Sequence, residues 1–168
     1  LLRAAEGLER NIDVPAIIAR VRAEMYDQIK TKDIHDVLIM VVRSMIERDP
    51  AHAFVAGRLL LQSMYRDVIG DVDYQNLEAE YKKAFVRAIN EGVRVGQFDP
   101  RMTEFDLPKL AESLVIERDR DFKYLGLQTL QANYLSKVHG TKKLLETPQI
   151  FWMRVAMGLA YNEPERTE

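Results

Sequence analysis

The sequence predicts a mainly all-α chain: a helical bundle, then a second helical segment with one short β-hairpin. Three observations predict it. Apolar residues recur at three- and four-residue spacing through most of the 168 residues. Helix-start residues and glycine or proline stops punctuate that pattern about once per helix length. A single stretch, Leu135 to Leu145, reads instead as a hairpin, with His139-Gly140 at the turn and lysines on the arms.

Leu1, Leu2, Ala5 and Leu8 sit at helical spacing, and Gly7 and Asn11 help to end this first helix. Asp13 is placed to cap the second helix, with Pro15 in its first turn and Ile17, Ile18, Val21 and Met25 as its apolar stripe. The third runs from Thr31 to about Arg48, where Asp49-Pro50 stops it, and Ile34, Leu38, Val41, Val42 and Met45 form its face. The fourth runs from Ala51 to Ile69 and stops at Gly70, with Phe54, Val55, Leu59 and Val68 inward. Four helices joined by short loops make a small bundle over residues 1–70, and residues 71–168 form the second part.

In that second part a helix after Asp73 carries Leu77, Tyr81, Phe85 and Ile89. Gly92, Gly96 and Asp99-Pro100 then break the chain, the best candidate boundary by breaker composition. Asp106 caps a short helix through Leu114, and a longer helix is expected from Arg118 to Tyr134. The last helix starts at Thr147-Pro148. From Ile150 to Tyr161 it is apolar on every side except at Arg154, so it is expected to be buried all round. Its apolar run falls short of the roughly 20 residues that span a bilayer.

Composition excludes several functions. Hydrophobic residues make up 47% and charged residues 30%, as in a folded globular chain. Net charge is -2 with no basic run, which argues against a phosphate-tracking nucleic-acid surface. There is no membrane span, no Gly-rich phosphate loop, and no ligand spacing among His35, His52 and His139 that suits a metal. Cysteine is absent, so thiol chemistry has no place within these residues.

Three places can carry polar chemistry. In Lys30-Thr31-Lys32-Asp33-Ile34-His35, Thr31 stands at a helix start and His35 one turn on. Free backbone N–H groups and the helix dipole suit a phosphate there, while a threonine cap beside an exposed histidine is the plainer reading. In Glu117-Arg118-Asp119-Arg120-Asp121 the alternating signs at a helix start favour a solvated, ion-paired face over acid–base catalysis. Arg154, on a buried helix, requires a carboxylate, and Asp119, Asp121 or Glu117 can supply it.

Two runs carry a family resemblance. Tyr26-Asp27-Gln28-Ile29-Lys30-Thr31-Lys32-Asp33-Ile34-His35 is similar to a run in the ATP-cone of ribonucleotide reductase large subunits. Arg118-Asp119-Arg120-Asp121-Phe122-Lys123-Tyr124, then Glu146-Thr147-Pro148-Gln149 and Trp152 to Ala160, resembles the end of the helical region that precedes the catalytic barrel of class I enzymes. The resemblance implies that residues 1–70 are cone helices and that the cone binds ATP as activator or dATP as inhibitor. It places Thr31 and His35 at the nucleotide. Arg66, where the family often has lysine, then reaches phosphate; otherwise it is a solvated charge on the Arg58–Gln62–Arg66 face.

The cone ordinarily opens with strands bearing a Val-x-Lys-Arg-x-Gly motif, and none precedes Leu1, so these are cone helices without the β-cap. The parent reduces ribonucleotides through a thiyl radical in a barrel expected beyond Glu168. The implied role here is therefore regulatory and architectural, with no catalytic residue and no cofactor. Implied partners are ATP or dATP, the rest of the large subunit, the radical-generating small subunit and further copies of the chain, in the cytoplasm. The alternative is an all-helical interaction module with no nucleotide.

Overall fold

The computed structural model describes residues 1–8, 12–138, 140–165 and 167, with the backbone alone at Thr31 and Lys32. The helices are α1 (Leu2–Ala5), α2 (Val14–Glu24), α3 (Thr31–Ser44), α4 (His52–Val68), α5 (Leu77–Arg94), α6 (Leu107–Glu112), α7 (Tyr124–Asn133) and α8 (Pro148–Leu159). Short 3-10 turns occupy Tyr74–Asn76, Pro100–Glu104 and Ile116–Asp121. The chain divides into two compact units: Leu1–Gln62 with Arg120–Thr129, and Ser63–Asp119 with Leu130–Glu168.

The first unit is built as its start signals suggest. Asp13 caps α2 by accepting the Ala16 amide at 2.9 Å, with Pro15 in the first turn. Ile17 and Val21 of α2, Ile39 and Val42 of α3, and Val55 and Leu59 of α4 are buried. Asn11, a proposed stop, lies outside the described residues. The helix expected from Arg118 to Tyr134 is instead a 3-10 turn, an interruption at Phe122 and Lys123, and then α7. The interruption has a steric cause. A Cβ at Gly57 would lie 2.7 Å from the Phe122 carbonyl oxygen, so this backbone runs directly against α4 where a side chain is missing. Lys123 and Arg43 flank it, over the rings of Phe54 and Tyr124 at 5.3 and 5.7 Å.

In the second unit α5 packs against α6 and α8, around a core that includes Tyr81, Phe85, Ile89, Phe105 and Ile150. Asp99 and Asp106 cap the Pro100–Glu104 turn and α6, accepting the amides of Arg101 at 2.9 Å and Lys109 at 3.1 Å. Three expectations are corrected here. Gly92 does not break the chain but lies inside α5, buried, with the Phe98 ring over it.

The expected β-hairpin is absent: among the described residues Lys137 and Leu144 form one isolated antiparallel bridge. The Leu145 amide still reaches the Ser136 carbonyl at 2.8 Å, but the Ser136 amide goes to the Glu146 carboxylate at 2.9 Å. A side chain thus takes a donor that the next rung of a ladder needs. His139, assigned to the turn, is outside the described residues. Finally, α8 is not buried all round: Ile150, Phe151 and Met157 are, whereas Trp152 is 50% and Leu159 82% exposed. No helix among the described residues is long and apolar enough to cross a membrane.

Candidate functional site

The start of α3 is open to a ligand in one respect. Its N-cap is Lys30, whose side chain makes no capping hydrogen bond, so Thr31 is the first helical residue and not the cap. The Thr31 side chain is outside what the structure describes. His35, part-buried, is not a free surface histidine. Its Nε2 lies 2.9 Å from the Leu59 carbonyl oxygen of α4. A carbonyl only accepts, so Nε2 carries the proton, and only Nδ1 remains for any further contact. Arg66 belongs to the other unit. It is half exposed in the last turn of α4 and pairs with Asp71 at 3.4 Å, a contact of little energy between exposed groups.

The second unit holds the densest polar chemistry, which the sequence reading assigned to other residues. Arg154 does pair with a carboxylate, but the partner is Glu146, not Asp119, Asp121 or Glu117. The Arg154 Nε donates to Glu146 Oε1, and Nη2 donates to Oε2 at 3.1 Å. Glu146 is fully buried, and the guanidinium lies over the rings of Phe98 at 4.6 Å and Phe151 at 5.4 Å. The available signal was position: Glu146 directly precedes the Thr147-Pro148 helix start, eight residues before Arg154.

Asp119 is the other surprise. Read as an exposed helix-start charge, it is fully buried, and its Oδ2 accepts the hydroxyls of Tyr65 at 2.9 Å and Tyr81 at 2.7 Å. Thr147 Oγ1 donates in turn to the Tyr81 hydroxyl at 2.5 Å. Burial pushes the Asp119 carboxyl up to about 6, against the two tyrosine hydrogen bonds, and burial beside Asp119 holds both tyrosines well above their usual range. No fixed spacing in the sequence links these residues. Among the described residues no group of three or more His, Asp or Glu is placed to hold a metal ion.

The raised Asp119 value predicts a pH dependence. Between pH 4 and 6 the folded chain keeps a proton that the unfolded chain, with an ordinary value of 3.8, gives up. This contribution to stability is complete below about pH 4 and is lost as pH rises through about 6, a difference of roughly 3 kcal/mol. Asp119→Asn should remove that slope. Urea midpoints of both proteins from pH 4 to 7.5 test it, and a constant gap between the two curves refutes it.

Comparison with known proteins adds the family. Residues 120–168 match the family model described as "Ribonucleotide reductase, all-alpha domain". The ribonucleoside-diphosphate reductase subunit alpha of Chlamydia trachomatis serovar D is 38% identical over 168 residues, covering 99% of this chain and 16% of the relative. Its counterpart from Helicobacter pylori is 37% identical over 145 residues, covering 86% of this chain and 17% of the relative. The Escherichia coli reductase 1 subunit alpha is 28% identical over 169 residues, 98% of this chain and 21% of the relative. The chain therefore spans about a sixth to a fifth of the length of these relatives.

Proposed function

Because the chain belongs to the ribonucleotide reductase large (alpha) subunit family, we propose that it is a nucleotide-responsive and architectural part of such a subunit, not the seat of reduction. The observation that carries this reading is the alignment over 99% of the chain at 38% identity to a ribonucleoside-diphosphate reductase alpha subunit. Reduction through a thiyl radical needs cysteine, and these residues contain none. The remainder of a large subunit would supply that chemistry, working with a radical-generating small subunit in the cytoplasm. The half-exposed Trp152 and the exposed Leu159 on α8 support a role in which further polypeptide of the same subunit covers that face.

The effector we assign is ATP or dATP, with Thr31 and His35 at its phosphates. The side-chain-uncapped start of α3 supports this, since it leaves backbone N–H groups and the positive end of the helix dipole for an anion. His35, held through Nε2, would present Nδ1. Arg66 is the third candidate, and its exposed pairing to Asp71 is weak enough to exchange for phosphate.

Few contacts imply weak binding, with a Kd near 1 mM, or about 4 kcal/mol. Calorimetry should find that affinity for ATP and dATP, lost in the Thr31→Ala, His35→Ala double variant and reduced in Arg66→Ala. Binding unchanged in the double variant would remove the site from α3. No binding by the parent would favour the plainer reading, a helical interaction module whose working surface is the α8 face.

A further inference from the structure

Among the described residues Asp119 is the one fully buried carboxyl that no cation neutralises, since Glu146 has Arg154. Its two oxygens are placed unequally. Oδ2 accepts both tyrosine hydroxyls, whereas Oδ1 is buried with no hydrogen-bond partner among the described residues. Gln149 lies nearby but is engaged elsewhere: its Oε1 accepts the Val115 amide at 3.0 Å and its Nε2 donates to the Val115 carbonyl at 2.6 Å. A proton on this carboxyl therefore belongs on Oδ1, where it disturbs neither tyrosine. Without that proton a bare anionic oxygen faces the interior with no donor, which costs more than leaving a neutral hydroxyl there.

The groups around Asp119 do not offset the charge. Tyr65 of α4 and Tyr81 of α5 are the titratable groups that face it, and burial keeps both hydroxyls protonated. The start of α8 brings only the neutral Thr147, on Tyr81, and the neutral Gln149. Glu117, in the same turn as Asp119, adds negative charge near Tyr65. Water is the remaining source of donors, and to reach it the turn that carries Asp119 has to leave the two tyrosines. That turn is a 3-10 piece over Ile116–Asp121, with poorer hydrogen-bond geometry than an α-helix. Its clasp to α8, between Val115 and Gln149, is exposed. Exposed hydrogen bonds and a short irregular element mark the parts of a fold that open without the core.

We propose that Asp119 is a proton-operated latch: with Oδ1 protonated, the Ile116–Asp121 turn stays closed on Tyr65, Tyr81 and the start of α8, and with Oδ1 bare the turn opens to water far more often while α5 stays folded. The carboxyl, raised by burial to about 6, sets the direction, because the closed form holds a proton that the opened form gives up above its ordinary 3.8. Closure is therefore firmest in acid and weakens as pH rises through about 6.

Amide hydrogen exchange of the whole chain, read by mass spectrometry from pH 5 to 7.5, tests this. Once the ordinary pH dependence of exchange is divided out, residues 115–121 should open about tenfold more at pH 7.5 than at pH 5. Residues 84–89 of α5 should stay on the order of a hundredfold better protected throughout. Asp119→Asn should abolish the tenfold change, since its amide oxygen accepts both hydroxyls and its amide nitrogen carries no charge. Tyr65→Phe removes one donor to the charged form and should carry the midpoint of the change to higher pH, a shift that a merely structural role would not give. If Asp119→Asn does not fold, the parent and Tyr65→Phe decide between them. Three results overturn the proposal: no excess pH dependence in residues 115–121, the same excess in Asp119→Asn, or opening of the turn and of α5 together, which is global unfolding.

Discussion

Arg154→Ala should lower the free energy of unfolding by about 4 kcal/mol. The reason lies in what is left behind. Glu146 is fully buried, and both its oxygens receive hydrogen bonds from the guanidinium. Without Arg154, among the described residues, the carboxylate keeps only the Ser136 amide, and an uncompensated charge remains in the interior. The rings of Phe98 and Phe151 lose the cation that lies over them as well. The diagnostic is therefore a double variant. Arg154→Met with Glu146→Gln removes both charges, keeps an acceptor for Ser136, and should recover at least half of the loss. Urea unfolding of the parent, both single variants and the double gives the coupling. Strictly additive effects would mean that the pair does not act as a unit.

Much of this molecule was legible in its sequence, and the failures share one physical cause. The aspartate start signals were reliable because they are local: Asp13 and Asp106 each accept an amide three residues ahead, a contact that needs no knowledge of the rest of the chain, whereas Thr31 is not a cap and the Thr147 hydroxyl goes to Tyr81. The helical class followed from apolar spacing for the same reason. What misled was anything decided by a distant neighbour. Gly92 has a breaker's composition, yet it sits in mid-helix because the Phe98 ring needs the space. Asp119 looks like one of a run of surface charges, yet it is buried because two tyrosines, 54 and 38 residues away, supply donors.

The Arg154 pairing was half legible. Burial of an arginine dictates a carboxylate, but which carboxylate depends on how the chain enters α8. The apolar circumference of α8 was misread in the opposite direction, since periodicity reports which faces avoid water and not whether these residues suffice to cover them. Thr31 and His35 are singled out by a helix start and one-turn spacing, for which a plain threonine cap is the favoured reading; the family resemblance places them at a nucleotide and adds Arg66.

Gly92→Ala should destabilise the second unit by about 3 kcal/mol, although a glycine to alanine change inside a helix ordinarily stabilises by up to about 1 kcal/mol. The new Cβ would lie 2.1 Å from Cδ2 and 2.3 Å from Cε2 of Phe98, well inside contact distance. The ring cannot simply swing away. The amides of Gln97 and Phe98 both donate to the Gly92 carbonyl, at 2.8 and 3.0 Å, so the backbone carrying the ring is tied to the residue it must avoid. The ring's outer side is also occupied, since the Arg154 guanidinium lies 4.6 Å from its centroid. Moving Phe98 therefore disturbs the cation that neutralises Glu146. Two consequences can be measured by thermal and urea unfolding. Phe98→Ala should cost stability in the parent, yet added to Gly92→Ala it should cost far less, because the clash is gone and alanine's helical preference is released. Gly92→Ala should also reduce the loss caused by Arg154→Ala, since the cation is already displaced. A Gly92→Ala protein as stable as its parent would show that the ring yields freely and that the space above Gly92 is not what fixes this residue.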